Sequence, residues 1–303
     1  GEAVAELMIV GGIALGLLAW WLQRRKRQGE LALLDPDLFR SPNFRAGISS
    51  QMLNQIALGG AMIALPIFLQ MALGYNAMQA GLSMAPLSLT MFAVAVLAGK
   101  RAGNRRPASI IRAGFALTTV GMALIIPVVP RTESGWALLI PLVIAGVGMG
   151  LLVSQLNNYA LAPISQDRIS EAAGVNSASG SFGLSFGLAF AGGIMLATLS
   201  FAFTHLSDQS KVLSPVQQDQ VATVLEHDAE VMSDAQLQEQ ISGQPADVQA
   251  EITRINDTAR DRALQAALLV PVAAGLLGLA NGFRMMRLPD IKPSADVEGA
   301  SLG

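Results

Sequence analysis

Gly99-Lys100-Arg101-Ala102-Gly103-Asn104-Arg105-Arg106-Pro107, followed after a short apolar lead by Arg112, decides how the rest of the chain is read. Five positive charges and no negative one stand in residues 99–112, four of them between two apolar runs, residues 77–98 and 110–129, and Arg112 just inside the second. Each run is close to the roughly 20 residues that an α-helix needs to cross a bilayer. Lys and Arg beside the ends of spans hold a loop on the cytoplasmic side, so this loop is expected inside and orients every other span by counting outward from it. Two roles are open for Gly99, Arg101, Arg105 and Arg106: an anchor of topology, or the gating loop of a transporter.

Composition agrees with a membrane reading. Of 303 residues, 52 % are hydrophobic and 14 % charged, with a mean hydropathy of +0.47. A soluble domain carries nearer a quarter charged residues. The formal net charge of −2 conceals a segregation by side. Arg24, Arg25, Lys26, Arg27, Arg40, Arg45, the loop cluster, Arg168, Arg284, Arg287 and Lys292 all count to the inside, and only Arg131, Lys211, Arg254, Arg260 and Arg262 to the outside. With no cysteine, disulfides and thiolate chemistry are excluded, and His205 and His227 are too few and too far apart in sequence to suggest a zinc site. No cofactor is indicated. An intramembrane enzyme is not expected, because no Ser/His pair, carboxylate pair or His cluster lies at membrane depth. Nucleic acid is set aside as a partner, since the basic residues sit in short membrane loops.

The expected fold is all-α and polytopic, with about seven transmembrane helices and a small extracytoplasmic helical insert. Residues 1–22 form a linker transmembrane helix and 23–45 a cytoplasmic connector. Residues 46–204 hold five helices, 205–261 an acidic extracytoplasmic segment, 262–284 the last transmembrane helix, and 285–303 a cytoplasmic tail. This places the N-terminus outside and the C-terminus in the cytoplasm of a cell membrane. The apolar stretch near the start is followed, not preceded, by basic residues, so it is not a signal peptide. The chain therefore reads as a fragment of something longer.

Three patterns inside the spans carry candidate function. Gln51, Asn54 and Gln55 lie at i, i+3, i+4 on one helix face, and Gln155 and Asn158 form a second amide face at i, i+3. Uncompensated amides are costly in hydrocarbon, so both faces are expected to border one central cavity, or else to hydrogen-bond helix to helix. Gly146 and Gly150 form a Gly-x-x-x-Gly pair. In the span at 172–203, Ser181 and Ser185 belong to one four-residue row of small side chains, and Gly183 and Gly187 to another. These rows are expected to be helix-packing surfaces, with lining of a pathway as the other reading. Beyond His205 two or three short amphipathic helices are expected outside the membrane, with Gly243 and Pro245 marking a stop and a restart.

Read together, these residues resemble a known family. Leu34, Asp35, Leu38-Phe39-Arg40 and Asn43-Phe44-Arg45-Ala46 are similar to the connector that enters the C-terminal bundle of fourteen-helix drug:proton antiporters, a branch of the major facilitator superfamily. Leu65-Pro66, Leu69-Gln70, Gly74-Tyr75, Gln79-Ala80-Gly81 and Pro86 resemble the next helix pair, and Glu171, Ala172, Gly174-Val175 and Asn176 the penultimate helix. The resemblance covers nearly the whole chain, but only the second half of such a transporter. One departure lies in the basic loop, where Gly103 stands at a position at which the family often carries Asp. The resemblance implies export of lipophilic or amphiphilic drugs by proton antiport, with the lipid bilayer and a small lipophilic substrate as partners. Spans two to seven hold no ionisable residue in their interiors, so protons are expected to travel through a missing N-terminal half. The bundle alone is then not expected to transport. The alternative is a stand-alone membrane half that binds or assembles with a separate partner half.

Overall fold

A computed structural model describes residues 9–14, 16, 17, 20, 21, 24, 36–101, 106–132, 134–214, 218 and 234–289, and among these there is no strand. Of the expected first span, the described positions are helical and exposed, and the rest lies outside the described residues. Six further helices are long and apolar enough to cross a membrane. The molecule is an all-α polytopic membrane protein.

Local chemistry sets where each helix starts. Ser41 accepts a hydrogen bond from the Phe44 amide at 3.3 Å, with Pro42 in the first turn, and opens α1 (Pro42–Ile67). Pro66 brings no amide hydrogen, and the helix widens just beyond it into a π-helical turn, Phe68–Ala72. Gly74, at φ +64, reverses the chain in a conformation that side chains rarely adopt. The Gln79 amide then donates to Asn76 Oδ1 at 2.9 Å while the Asn76 amide donates to Gln79 Oε1 at 3.0 Å, a reciprocal box that starts α2 (Ala77–Arg101). Pro107 occupies the first turn of α3 (Pro107–Val128). Then come α4 (Leu139–Leu161), α5 (Ile169–Asp208), the short α6 (Asp234–Ile241) and α7 (Ala246–Met285).

Helix α1 is the centre of the bundle, packed on α4, α5 and α7, and α3 packs on α4 and α7. Helix α2 rests chiefly on α4 and is the least buried of the six spans. Exchanging α1 with α4, α2 with α5 and α3 with α7 maps nearly every packed pair onto another. The α5–α7 pair alone has no comparable α2–α3 counterpart.

Two boundaries differ from the sequence expectation. Both α5 and α7 have 40 residues, about 60 Å of helix and twice the ~30 Å hydrocarbon layer. The segment expected as separate short helices at 205–261 is instead partly the continuation of these two. The helix that carries the last span does not begin at 262; it starts at Ala246, just after the expected break at Gly243 and Pro245. The projecting ends and α6 bury Leu206, Leu213, Leu237, Ile241, Val248 and Ile252 in one cluster with the membrane core. A polar clasp fastens this cap. Glu251 Oε1 accepts from Ser210 Oγ at 2.7 Å, and Arg254 grips both Glu251 oxygens at 2.8 Å. Those bonds favour the carboxylate, led by Arg254, and hold its pKa down at about 2 against an ordinary 4.5.

Candidate transport site

Glycine decides which helix faces touch. On α5, Ser179 Oγ donates to the Ile48 carbonyl at 3.1 Å, a side chain on Gly183 would stand 2.5 Å from the Met52 carbonyl oxygen, and one on Gly187 would strike that of Ile56. Partners advance four residues together on α1 and α5, so the two helices run parallel in close contact. The same device joins α4 to α2: a Cβ on Gly146 or Gly150 would lie 2.6 Å from the carbonyl oxygen of Leu87 or Met91. Ser181 and Ser185 take no part in the α1–α5 contact. They are exposed, so of the two small-residue rows in α5 only that of Gly183 and Gly187 meets α1. Both rows have the same period, and the place of α1 chooses between them.

The amides separate likewise. Gly47 touches Ala160 of α4, and Gly59 touches Leu184 of α5. At about 100° per residue, Gln51 and Gln55 fall on the sector of α1 between those contacts. Both are half-buried beside Gly180, whose Cβ would stand 3.2 Å from Gln51 Nε2. Ser177 and Ser181 lie about 60° and 100° round α5 from Gly180, both exposed, and continue the polar surface from the amides onto α5. Asn54 is buried, and its Oδ1 has no hydrogen-bond partner among the described residues. The second amide face does not join the first. Gln155 is buried about 140° round α4 from Ala160, with its Nε2 on Ser154 Oγ at 3.3 Å, and Asn158 is exposed. Instead the neighbouring Asn157 accepts from Asn176 Nδ2 at 3.1 Å and ties α4 to α5 at one end of this polar surface. In the basic loop, Gly99 and Arg106 are exposed, Arg106 immediately before α3, while Arg105 and the side chain of Arg101 lie outside the described residues. Arg112 stacks over Phe283 with its guanidinium carbon 5.2 Å from the ring centre.

Comparison with known proteins supplies the family. The model of the Major Facilitator Superfamily matches residues 4–188, more than half the chain. The chain belongs to the major facilitator superfamily. It is 27 % identical over 206 residues to a Streptomyces coelicolor protein named as an actinorhodin transporter, covering 67 % of this chain and 36 % of that one. It is 32 % identical over 203 residues to proteins named as multidrug resistance protein MdtD in Yersinia pestis and Yersinia pseudotuberculosis, covering 65 % of this chain and 41 % of those. The chain thus spans about two fifths of the length of the curated relatives it matches. Sequence reasoning did not pair Asn157 with Asn176, two residues 19 positions apart whose bond joins α4 to α5. It also passed over an exposed stack of Phe182, Phe186 and Phe190 on α5, with centroids 6.1 and 5.3 Å apart, visible in retrospect as a four-residue aromatic repeat.

Proposed function

We propose that this bundle is one wall of an export pathway for lipophilic or amphiphilic compounds, driven by proton antiport, with Gln51, Gln55, Ser177 and Ser181 as the surface along which the substrate moves. The observation that carries it is the polar surface on an otherwise apolar bundle, in a family whose matched relatives are named for multidrug resistance and actinorhodin transport. Uncharged amides and serines hydrogen-bond many small molecules weakly and hold none tightly, as an exporter of varied substrates requires. They cannot carry a proton, and a coupling group must titrate within the membrane. That group belongs to the rest of the pathway, outside this bundle. The expected membrane is the cell membrane, with the α2–α3 loop in the cytoplasm and the cap outside.

Everted vesicles test the reading. With the second half present, an acid-inside gradient should drive uptake of ethidium, and an uncoupler should abolish it. Gln55→Ala should alter the order of preferred dyes at unchanged protein level. Uptake that survives the uncoupler would exclude proton coupling. Orientation is checked by single cysteines at Lys211 and Asp167, both exposed in a chain without cysteine, which should label from opposite faces of intact cells.

A further inference from the structure

At the end of the bundle opposite the cap, α3 begins where α7 ends. Gly282 brings the two helices together there, since a Cβ on it would stand 3.2 Å from Cα and Cβ of Arg112. The Arg112 guanidinium lies over the ring of Phe283, its carbon 5.2 Å from the ring centre. Phe283 is exposed, as are Leu276 and Leu269, seven and fourteen residues before it. Residues seven apart return to within about 20° of one helix face, so the three form an apolar ridge along α7. Helices α1, α3 and α5 pack on the other faces of α7, and the bare ridge is the side that meets acyl chains.

Stacking decides what Arg112 still offers. A guanidinium carries five N–H donors in its own plane, and a ring against its flat side leaves that edge clear. None of the five has an acceptor among the described residues, and no acid pairs with Arg112 there. Arg287 stands four residues beyond Phe283, exposed, in the turn that closes α7, and is likewise without an acidic partner among the described residues. Residues 113–130 and 263–283 hold no charge, so both arginines sit where hydrocarbon gives way to head groups. Residues 99–112 and 279–292, which hold the two helix ends, carry eight Lys or Arg and one acid, Asp290.

An apolar ridge that ends in two unmatched cations at head-group depth fits an anionic phospholipid. We propose that α3 and α7 hold one there, its phosphate bridging Arg112 and Arg287 and an acyl chain lying along Phe283 and Leu276. Phosphate oxygens accept from the planar fork of an arginine in pairs. Phe283 holds the Arg112 fork in place before any lipid arrives, which lowers the ordering cost of binding and distinguishes this site from a merely basic loop.

Native mass spectrometry of the full chain released from dodecyl maltoside tests the site, with phosphatidylglycerol and phosphatidylcholine of identical chains as probes. Phosphatidylglycerol should bind at least about tenfold more tightly than phosphatidylcholine, the size of one charge-assisted contact. Arg112→Gln should erase most of that gap, and Arg287→Gln, at an exposed position, should narrow it with no change in melting. Phe283→Leu keeps the ridge but removes the stacked ring, so it should narrow the gap while both arginines remain. Arg131→Gln, exposed at the other end of the bundle, should leave the gap intact. Equal affinity for the two lipids, a gap that survives both substitutions at Arg112 and Arg287, or one that falls as far in Arg131→Gln overturns the proposal. Loss of the bound phosphatidylglycerol to millimolar inorganic phosphate overturns it too, since the site would then take a soluble anion and not a lipid.

Discussion

Two seams of this bundle use one device to different ends. At α1–α5, the glycines of α5 admit the carbonyls of Met52 and Ile56; at α2–α4, the glycines of α4 admit those of Leu87 and Met91. Both are parallel pairs, and they exchange under the internal symmetry. The surroundings differ. Helix α5 is also held by α7 and by the cap core, whereas α2 rests chiefly on α4. Without a hydrophobic force between helices in lipid, close backbone contact is the main attraction left. The α2–α4 seam is therefore the principal attachment of the least buried helix, and the α1–α5 seam is one of several that hold α5.

The largest effect is expected where the α1–α5 seam is overpacked. Gly187→Ala drives a methyl group at the Ile56 carbonyl, and backbone on both sides leaves little room to yield. It should lower stability by about 1–3 kcal/mol in a detergent melting assay. Ser185→Ala, on the exposed flank, should stay within about 0.5 kcal/mol. Equal losses in the two variants would break the assignment of the rows.

Next comes Gly150→Ala, which places a Cβ 2.6 Å from the Met91 carbonyl oxygen and 2.8 Å from Val94 Cβ. Helix α2 should loosen as a unit, with amide exchange across 77–101 rising about tenfold while α1, α5 and α7 keep their protection. Protection lost evenly over all six spans would mean that α2 is no more separable than α5.

Smaller still is the cost of Asn176→Ala, which removes the bond to Asn157 and leaves an exposed amide partner. About 0.6 kcal/mol is expected from the average membrane hydrogen bond. A loss several times larger would make this link a third seam and not a minor tie.

The bundle itself was legible from apolar run lengths, and the Gly146–Gly150 spacing from sequence alone. The spin of each helix was not. Residues 181, 185 and 183, 187 repeat with the same period, and nothing local tells which row meets a neighbour. Gln155 and Asn158 share a face only to within about 60°, enough for a neighbouring helix to bury one and leave the other exposed. The helix ends beyond Phe203 and before Ala263 were hidden for another reason. The onset of charge marks where hydrocarbon stops, but a helix stops only where its capping or backbone geometry changes, and Pro245 is such a place. Arg260, which sequence counts among solvent charges, is buried because α7 continues past it against α1.

The cap supplies the last contrast, in its response to pH. The seams of the bundle are built of carbonyls and glycine, with nothing that titrates, so their strength should not change from pH 7 to pH 3. The cap clasp does titrate. Glu251 has its pKa lowered to about 2 from 4.5 by Arg254 and Ser210. A lowered folded pKa means that its contribution is complete above about pH 4.5 and fades as the pH falls toward about 2. Amide exchange of Val212 and Leu213, whose amides donate to Ser210 Oγ at 3.3 Å, reports on the clasp directly. Their protection should fall between pH 4.5 and 2 after correction for intrinsic exchange, while that of Ile56 in the α1–α5 seam holds. Glu251→Gln keeps the shape but loses the charge, so protection at Val212 should start lower and show no step. A step of the same size in Glu251→Gln would trace the pH dependence to another group and leave the cap as unresponsive as the seams.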